Sequence, residues 1–183
     1  MRIIIEGCDK TGKTTLANYL SESLWMKIVK FSAPKVEDVF DEYVEFFGTA
    51  KQNKKQTIND NIIIDRSWIG ECVYWPIYRK KGLKKFQVKR LDEACKMNND
   101  LIIRCDTDKW TIKKKFIEDK EDFANAKDIW RIQRYFLKTM KWLKTTVIQY
   151  DWKLWNMESI LYIIREMQND ANTVAMKVEA TQV

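Results

Sequence analysis

Near the amino terminus, Gly7-Cys8-Asp9-Lys10-Thr11-Gly12-Lys13-Thr14 has the spacing G-x-x-x-x-G-K-[ST]. It follows an apolar run and opens a helical pattern, which is the context a phosphate-binding loop requires. Gly7 and Gly12 permit a tight turn whose amide N–H groups point into one concavity. The helix beyond adds its positive amino-terminal end. Lys13 is placed to reach the β- and γ-phosphates of a nucleoside triphosphate, and the Thr14 hydroxyl to ligate Mg²⁺. Residues 7–14 together with Thr15 are therefore the expected triphosphate site. Cys8 lies beside Lys10 and the helix end, and this proximity predicts a lowered thiol pKa and protection from alkylation by ATP.

A second pair carries chemistry further along the chain. Ile62-Ile63-Ile64 runs into Asp65-Arg66-Ser67, which puts an acid and an arginine at the carboxyl end of a strand, where α/β sheets bind ligands. Asp65 can hold Mg²⁺ through water or accept a proton, and Arg66 can fork onto a second anionic group. The plain alternative is a strand closed by a solvated ion pair. No Asn-Lys-x-Asp guanine-reading motif is present.

The chain that must position these groups has 183 residues, 45% apolar and 32% charged, enough for one domain with a sizeable core. With 5 Gly and 2 Pro it is neither collagen-like nor a Gly/Pro-rich disordered chain. No apolar run approaches the roughly 20 residues of a membrane-spanning helix, and the amino-terminal run is too short for a signal-peptide core. The absence of histidine removes Ser-His-Asp hydrolysis, His-ligated metals and imidazole shuttles. Cys8, Cys72, Cys95 and Cys105 form no Cys-x-x-Cys pair, so reduced thiols in a cytoplasmic protein are expected. The net charge of +7 suits phosphate-bearing ligands, though a lysine-rich solvated surface would give the same number.

Five short apolar runs, at 2–6, 27–31, 61–65, 100–105 and 145–150, read as strands. Three are Ile-rich and nearly continuous, as in strands buried on both faces of a parallel sheet. Helical spacing fills 14–25, 36–47, 86–96, 128–144 and 157–167, and Lys51 to Gln56 form a polar connection. The alternation predicts an α/β fold with a mostly parallel, doubly wound sheet. Asn169 to Val183 loses periodicity and reads as a loosely held tail beyond a single domain of residues 1–168.

Residues 7–16 resemble the loop of the thymidylate kinase-like nucleoside monophosphate kinases, including phage and viral members. Asp65-Arg66 is similar to the substrate-site pair of that family. Phe31-Ser32-Ala33-Pro34-Lys35 lies where relatives keep a proline-containing substrate loop. Gly70-Glu71-Cys72-Val73-Tyr74-Trp75-Pro76-Ile77-Tyr78-Arg79 resembles a stretch of phage members, and Cys105-Asp106-Thr107-Asp108 an Asp-containing turn. The resemblance spans residues 1 to about 168. It implies a three-layer fold of P-loop NTPase type with a five-stranded parallel sheet flanked by helices. It also implies Mg²⁺-dependent transfer of the ATP γ-phosphoryl group to a deoxynucleoside monophosphate, dTMP-like, in nucleotide biosynthesis, by a homodimer. Lys13, Asp9, Lys10, Arg66 and Asp65 would form the catalytic set, with Thr14 and Asp65 at the metal. Arg66 would clamp the acceptor phosphate. Phe31, Pro34, Tyr74, Tyr78 and Arg79 would line the acceptor site, although helix-spaced aromatics are more often core.

Two departures stand out. Relatives often carry arginines in a lid after the fourth strand. Here the stretch has lysines only, among them Lys113, Lys115 and Lys120, and lysine supplies a point charge without the planar fork. Such a run is equally a solvated helix face, and Lys10 inside the loop can supply charge from below. Trp75 stands where phage members often have glycine. Three other functions fit the same residues: a deoxynucleoside kinase, a kinase acting on DNA (a hydroxymethylated base or a strand end), and a nucleotide-binding regulator without turnover.

Overall fold

The computed structural model describes residues 1–31, 40–48, 61–78, 82–118 and 126–180. Its strands are β1 (Arg2–Gly7), β2 (Lys27–Lys30), β3 (Ile62–Asp65), β4 (Leu101–Asp106) and β5 (Thr146–Asp151). They form one sheet in the order β2-β3-β1-β4-β5, with every pairing parallel. The chain crosses between strands through α1 (Lys13–Leu24), α2 (Phe40–Gly48), α3 (Trp68–Tyr78), α4 (Lys85–Met97), α5 (Lys109–Glu118) and α6 (Ile129–Lys141), and ends on α7 (Met157–Ala180).

The Ile-rich runs are central because each of their faces meets helices. Ile4, Ile62, Ile64 and Ile102 point to one side and pack with Trp68 and Val73 of α3, Leu91 of α4 and Ile132 and Phe136 of α6. Ile3, Ile5, Ile63, Leu101 and Ile103 point to the other and meet Leu16 and Leu20 of α1 and Ile160 and Ile164 of α7. The period-two alternation of a strand thus divides one apolar sequence between two cores. β2 and β5 are the sheet's two outer strands and carry exposed positions.

Three helices differ from the sequence expectation. α3 was not anticipated, because Trp68-Ile69-Gly70-Glu71-Cys72-Val73-Tyr74-Trp75 is apolar nearly all round and contains Pro76 at its far end. α5 lies under the lysine run and buries only Ile112 and Phe116, too few to set a visible period. α7 continues past Met167 to Ala180, so the loss of apolar spacing at Asn169 does not end the helix. Lys51 to Gln56 lie outside the described residues. Among the described residues no helix is long and apolar enough to cross a membrane.

Candidate active site

β1 delivers the phosphate loop at the centre of the sheet's carboxyl edge. Gly7 has φ +146°, and a Cβ there would lie 2.1 Å from the Cys105 carbonyl oxygen of β4. Gly12 has φ +84° and forms the cap of α1. Both are left-handed positions that glycine adopts without steric cost. Lys13 folds back into the loop it follows: Nζ donates to the carbonyl oxygens of Gly7 (3.0 Å) and Cys8 (2.7 Å). Thr11 Oγ1 also donates to the Cys8 carbonyl at 2.7 Å. Thr14 and Thr15 lie exposed on the first turn of α1. Lys10, at φ +66°, is half-buried.

Asp65 ends β3 directly across from the helix start. Its Oδ2 accepts from Thr14 Oγ1 at 3.3 Å and lies 3.8 Å from Lys30 Nζ of β2. Its Oδ1 is buried and has no hydrogen-bond partner among the described residues. An oxygen-only pair with one orphaned carboxylate atom fits a hard divalent cation such as Mg²⁺. Arg66 follows at φ +73° and donates from Nη2 to Asp9 Oδ1 at 3.0 Å. The same Asp9 oxygen lies 3.4 Å from Lys13 Nζ. One carboxylate of the loop therefore lies between the lysine from α1 and the arginine from the β3 turn.

The expected aromatic lining divides. Tyr74 is half-buried, with its ring 5.9 Å edge-on to Phe136 and 6.4 Å from Tyr78. Burial raises its hydroxyl well above the usual tyrosine range, and Asp9 adds to the shift while Arg66 opposes it. This phenol borders the Asp9–Arg66 pair. Tyr78 donates its hydroxyl to Asp128 Oδ2 at 3.2 Å. Phe31 is half-buried and packs among Tyr43, Phe46 and Phe47 of α2, so its ring is engaged in the helix layer. Trp75 is a core residue. Pro34, Arg79 and Lys120 lie outside the described residues.

Cys8 requires a correction. Its thiol is buried and pushed up to about 12 by desolvation, which outweighs the Lys13 charge. It is a protonated core thiol, not the activated one that its neighbours in sequence suggest. All four cysteines are free.

The lysine run also divides. Among the described residues Lys114 forms an exposed ion pair with Glu118, and Lys113 sits 5.7 Å over the exposed Trp110 ring. Lys115 sits 4.6 Å over Trp152. Trp152 in turn reaches Gly12, its Cδ1 lying 3.8 Å from where a Cβ would be. Lys153 clips this rim by donating to Asp108 Oδ2 at 2.6 Å. Trp152 gave no signal in the sequence, being one of 8 tryptophans and outside any motif. Glu6 did leave one, a carboxylate between three consecutive isoleucines and the loop.

No protein-family model and no curated protein matches the chain. Solved structures do. The YorR protein of Bacillus subtilis, in complex with phosphorylated GDP, superposes with a TM-score of 0.75 at 22% identity, over 92% of this chain and 98% of that one. The fold is therefore of P-loop NTPase type, a five-stranded parallel sheet flanked by helices. Deoxyadenosine kinase from M. mycoides, with the products dCMP and dCDP, follows at TM-score 0.54 and 16% identity, covering 93% of this chain and 100% of that one. Thymidylate kinase from Candida albicans gives 0.53 and 19%, over 92% of each chain. A deoxyadenosine kinase and a thymidylate kinase thus stand at nearly equal likeness, so fold alone does not select an acceptor.

Proposed function

We propose that the protein is a nucleoside monophosphate kinase that transfers the ATP γ-phosphoryl group to a dTMP-like deoxynucleotide in the presence of Mg²⁺. The observation that carries this reading is the shared counter-ion: Asp9 Oδ1 lies 3.4 Å from Lys13 Nζ and 3.0 Å from Arg66 Nη2. A carboxylate between two cations marks the place where donor and acceptor phosphates would replace it. The loop amides and the amino end of α1 would take the donor phosphates, with Lys13 turning outward from the Gly7 and Cys8 carbonyls. Arg66, with its planar fork, would seat the acceptor phosphate. Thr14 and Asp65 would hold Mg²⁺, which neutralises charge on the β- and γ-oxygens. Catalysis of this kind is positioning plus electrostatics, and no imidazole is needed. Trp152, Lys115 and Gly12 form the rim on the donor side.

A second reading, a deoxynucleoside kinase, is favoured by the unpartnered Asp65 Oδ1, which could accept the proton of an attacking hydroxyl. One experiment separates the two. Incubation with Mg-ATP and a panel of deoxynucleoside monophosphates, thymidine and oligonucleotides, following ADP, should give turnover with a monophosphate. Turnover confined to thymidine would establish the second reading. Turnover confined to oligonucleotides would establish a DNA kinase, and none with any acceptor a regulator. Light scattering in the same buffer tests the expected homodimer.

A further inference from the structure

Glu6 is the last side chain of β1 before the loop and is 1% exposed. Its Oε1 accepts three hydrogen bonds, from Ser67 N (2.5 Å), Ser67 Oγ (2.8 Å) and Gly70 N (3.2 Å). Two of these are amides at the start of α3, where a helix leaves donors without intrahelical partners and favours negative charge. Ser67 Oγ also accepts from Ile69 N at 3.3 Å, so a β1 carboxylate and a local hydroxyl cap α3 together. Immediately before this cap stands Arg66 at φ +73°, a left-handed conformation that residues other than glycine rarely adopt. Its own amide is tied to β1 as well, donating to the Ile5 carbonyl at 3.1 Å. Two consecutive residues of β1 thus hold the two residues that follow Asp65.

We infer that Glu6 is a positioning residue for Arg66: its carboxylate straps the Asp65-Arg66-Ser67 turn to the strand that carries the phosphate loop, and so fixes where the acceptor-clamping guanidinium stands. This rests on the reading of Arg66 as the acceptor clamp. The geometry explains why a carboxylate is kept in a buried position. All three partners are donors, and an ionised carboxylate is an acceptor at every lone pair. Burial pushes Glu6 up to about 7, with the Ser67 bonds and the Lys13 charge pulling the other way. Because loop and turn share β1, donor and acceptor sites are set by one rigid element.

The test uses the full chain with Mg-ATP and dTMP. Glu6→Gln keeps the size and the acceptor oxygen but removes the charge. It should raise the KM for dTMP about tenfold, the value of one weakened charge-assisted hydrogen bond, and leave the KM for ATP within about twofold. Ser67→Ala keeps the carboxylate and removes one of the three bonds, and should move the dTMP KM in the same direction by about threefold. It carries the test if Glu6→Gln does not fold. Arg66→Lys is the reference. If it raises the dTMP KM while Glu6→Gln and Ser67→Ala do not, or if those two raise both KM values equally, Glu6 is a scaffold residue and the inference fails. If Arg66→Lys leaves the dTMP KM unchanged, it is the acceptor reading of Arg66 that fails.

Discussion

The molecule collects positive charge at two places along the sheet's carboxyl edge, and it does so by opposite means. At the phosphate loop the cations are buried or half-buried and held by main chain: Lys13 on two carbonyls, Arg66 on a turn bonded to Ile5 and Glu6. At the rim formed by α5 and the segment after β5 they are lysines resting on exposed tryptophan faces, with the exposed Lys109 and Lys113 over Trp110 and the half-buried Lys115 and exposed Lys153 over Trp152. Fixed dipoles and buried charges act in low dielectric with no reorganisation. Lysines at an exposed rim act through water and are screened by salt. On the proposed reading, the first region would define where reacting groups stand, and the second would adjust how readily a ligand stays.

The sharpest way to break this comparison is Gly7→Ala. The added methyl would stand 2.1 Å from a β4 carbonyl, at a φ of +146°. Neither obstacle is the end of a flexible side chain, so stability in urea should fall by more than about 3 kcal/mol. A loss below 1 kcal/mol would show that the loop yields, and the two regions would differ in degree only. Lys13→Ala leaves the backbone intact and removes the cation. It should lower kcat at least about a hundredfold, roughly 2.7 kcal/mol, with the melting curve retained. Near wild-type turnover would remove Lys13 from the chemistry.

A third expectation concerns buried charge alone. Glu6 is raised from 4.5 to about 7 by desolvation. The unfolded chain then releases its proton at lower pH than the folded one, so the Glu6 contribution to stability is fully present below about pH 4.5 and is lost as pH rises through about 7. The cations facing it are Lys13 and Arg66, and the Arg66 guanidinium, raised further by Asp9, keeps its charge throughout. Tyr43, Tyr74, Cys72 and Cys105, all raised, stay neutral there. Across that window wild type should lose on the order of 3 kcal/mol relative to Glu6→Gln. Parallel curves for the two proteins would mean that the carboxylate is ionised at all these pH values. At the rim, by contrast, Asp108 is held well below the usual carboxylate range by hydrogen bonds from Lys153 and Thr111, but in full solvent.

The same contrast governs what could be read from the sequence. Ile3-Ile4-Ile5 and Ile62-Ile63-Ile64 announce buried strands because burial on both faces needs apolar residues at every position, and the loop spells itself because only glycine fits at Gly7. The third and fifth strands, the loop and the Asp65-Arg66 turn all stand within a residue of expectation. What stayed hidden depended on tertiary neighbours. Glu6 finds its partners 61 and 64 residues away. Trp152 meets Gly12 from the far end of the chain. Cys8 is read wrongly from its neighbours in sequence, because their charge matters less than the water that folding removes. α3 escaped because a helix apolar on all sides has no period to detect.

The smallest expected effect decides whether the rim belongs to the site at all. Lys115 and Lys114 are adjacent on α5, yet only Lys115 lies over the tryptophan that borders the loop. Lys115→Ala should raise the KM for ATP about two- to fivefold, the scale of an exposed cation–π contact plus one screened phosphate interaction, and the increase should shrink as salt rises. Lys114→Ala removes only a surface ion pair and should leave both KM values unchanged. Equal effects from the two would mean that α5 supplies charge without position. A Lys115 effect that survives high salt would instead assign that lysine to the buried class, and the boundary between the two regions would move outward to Trp152.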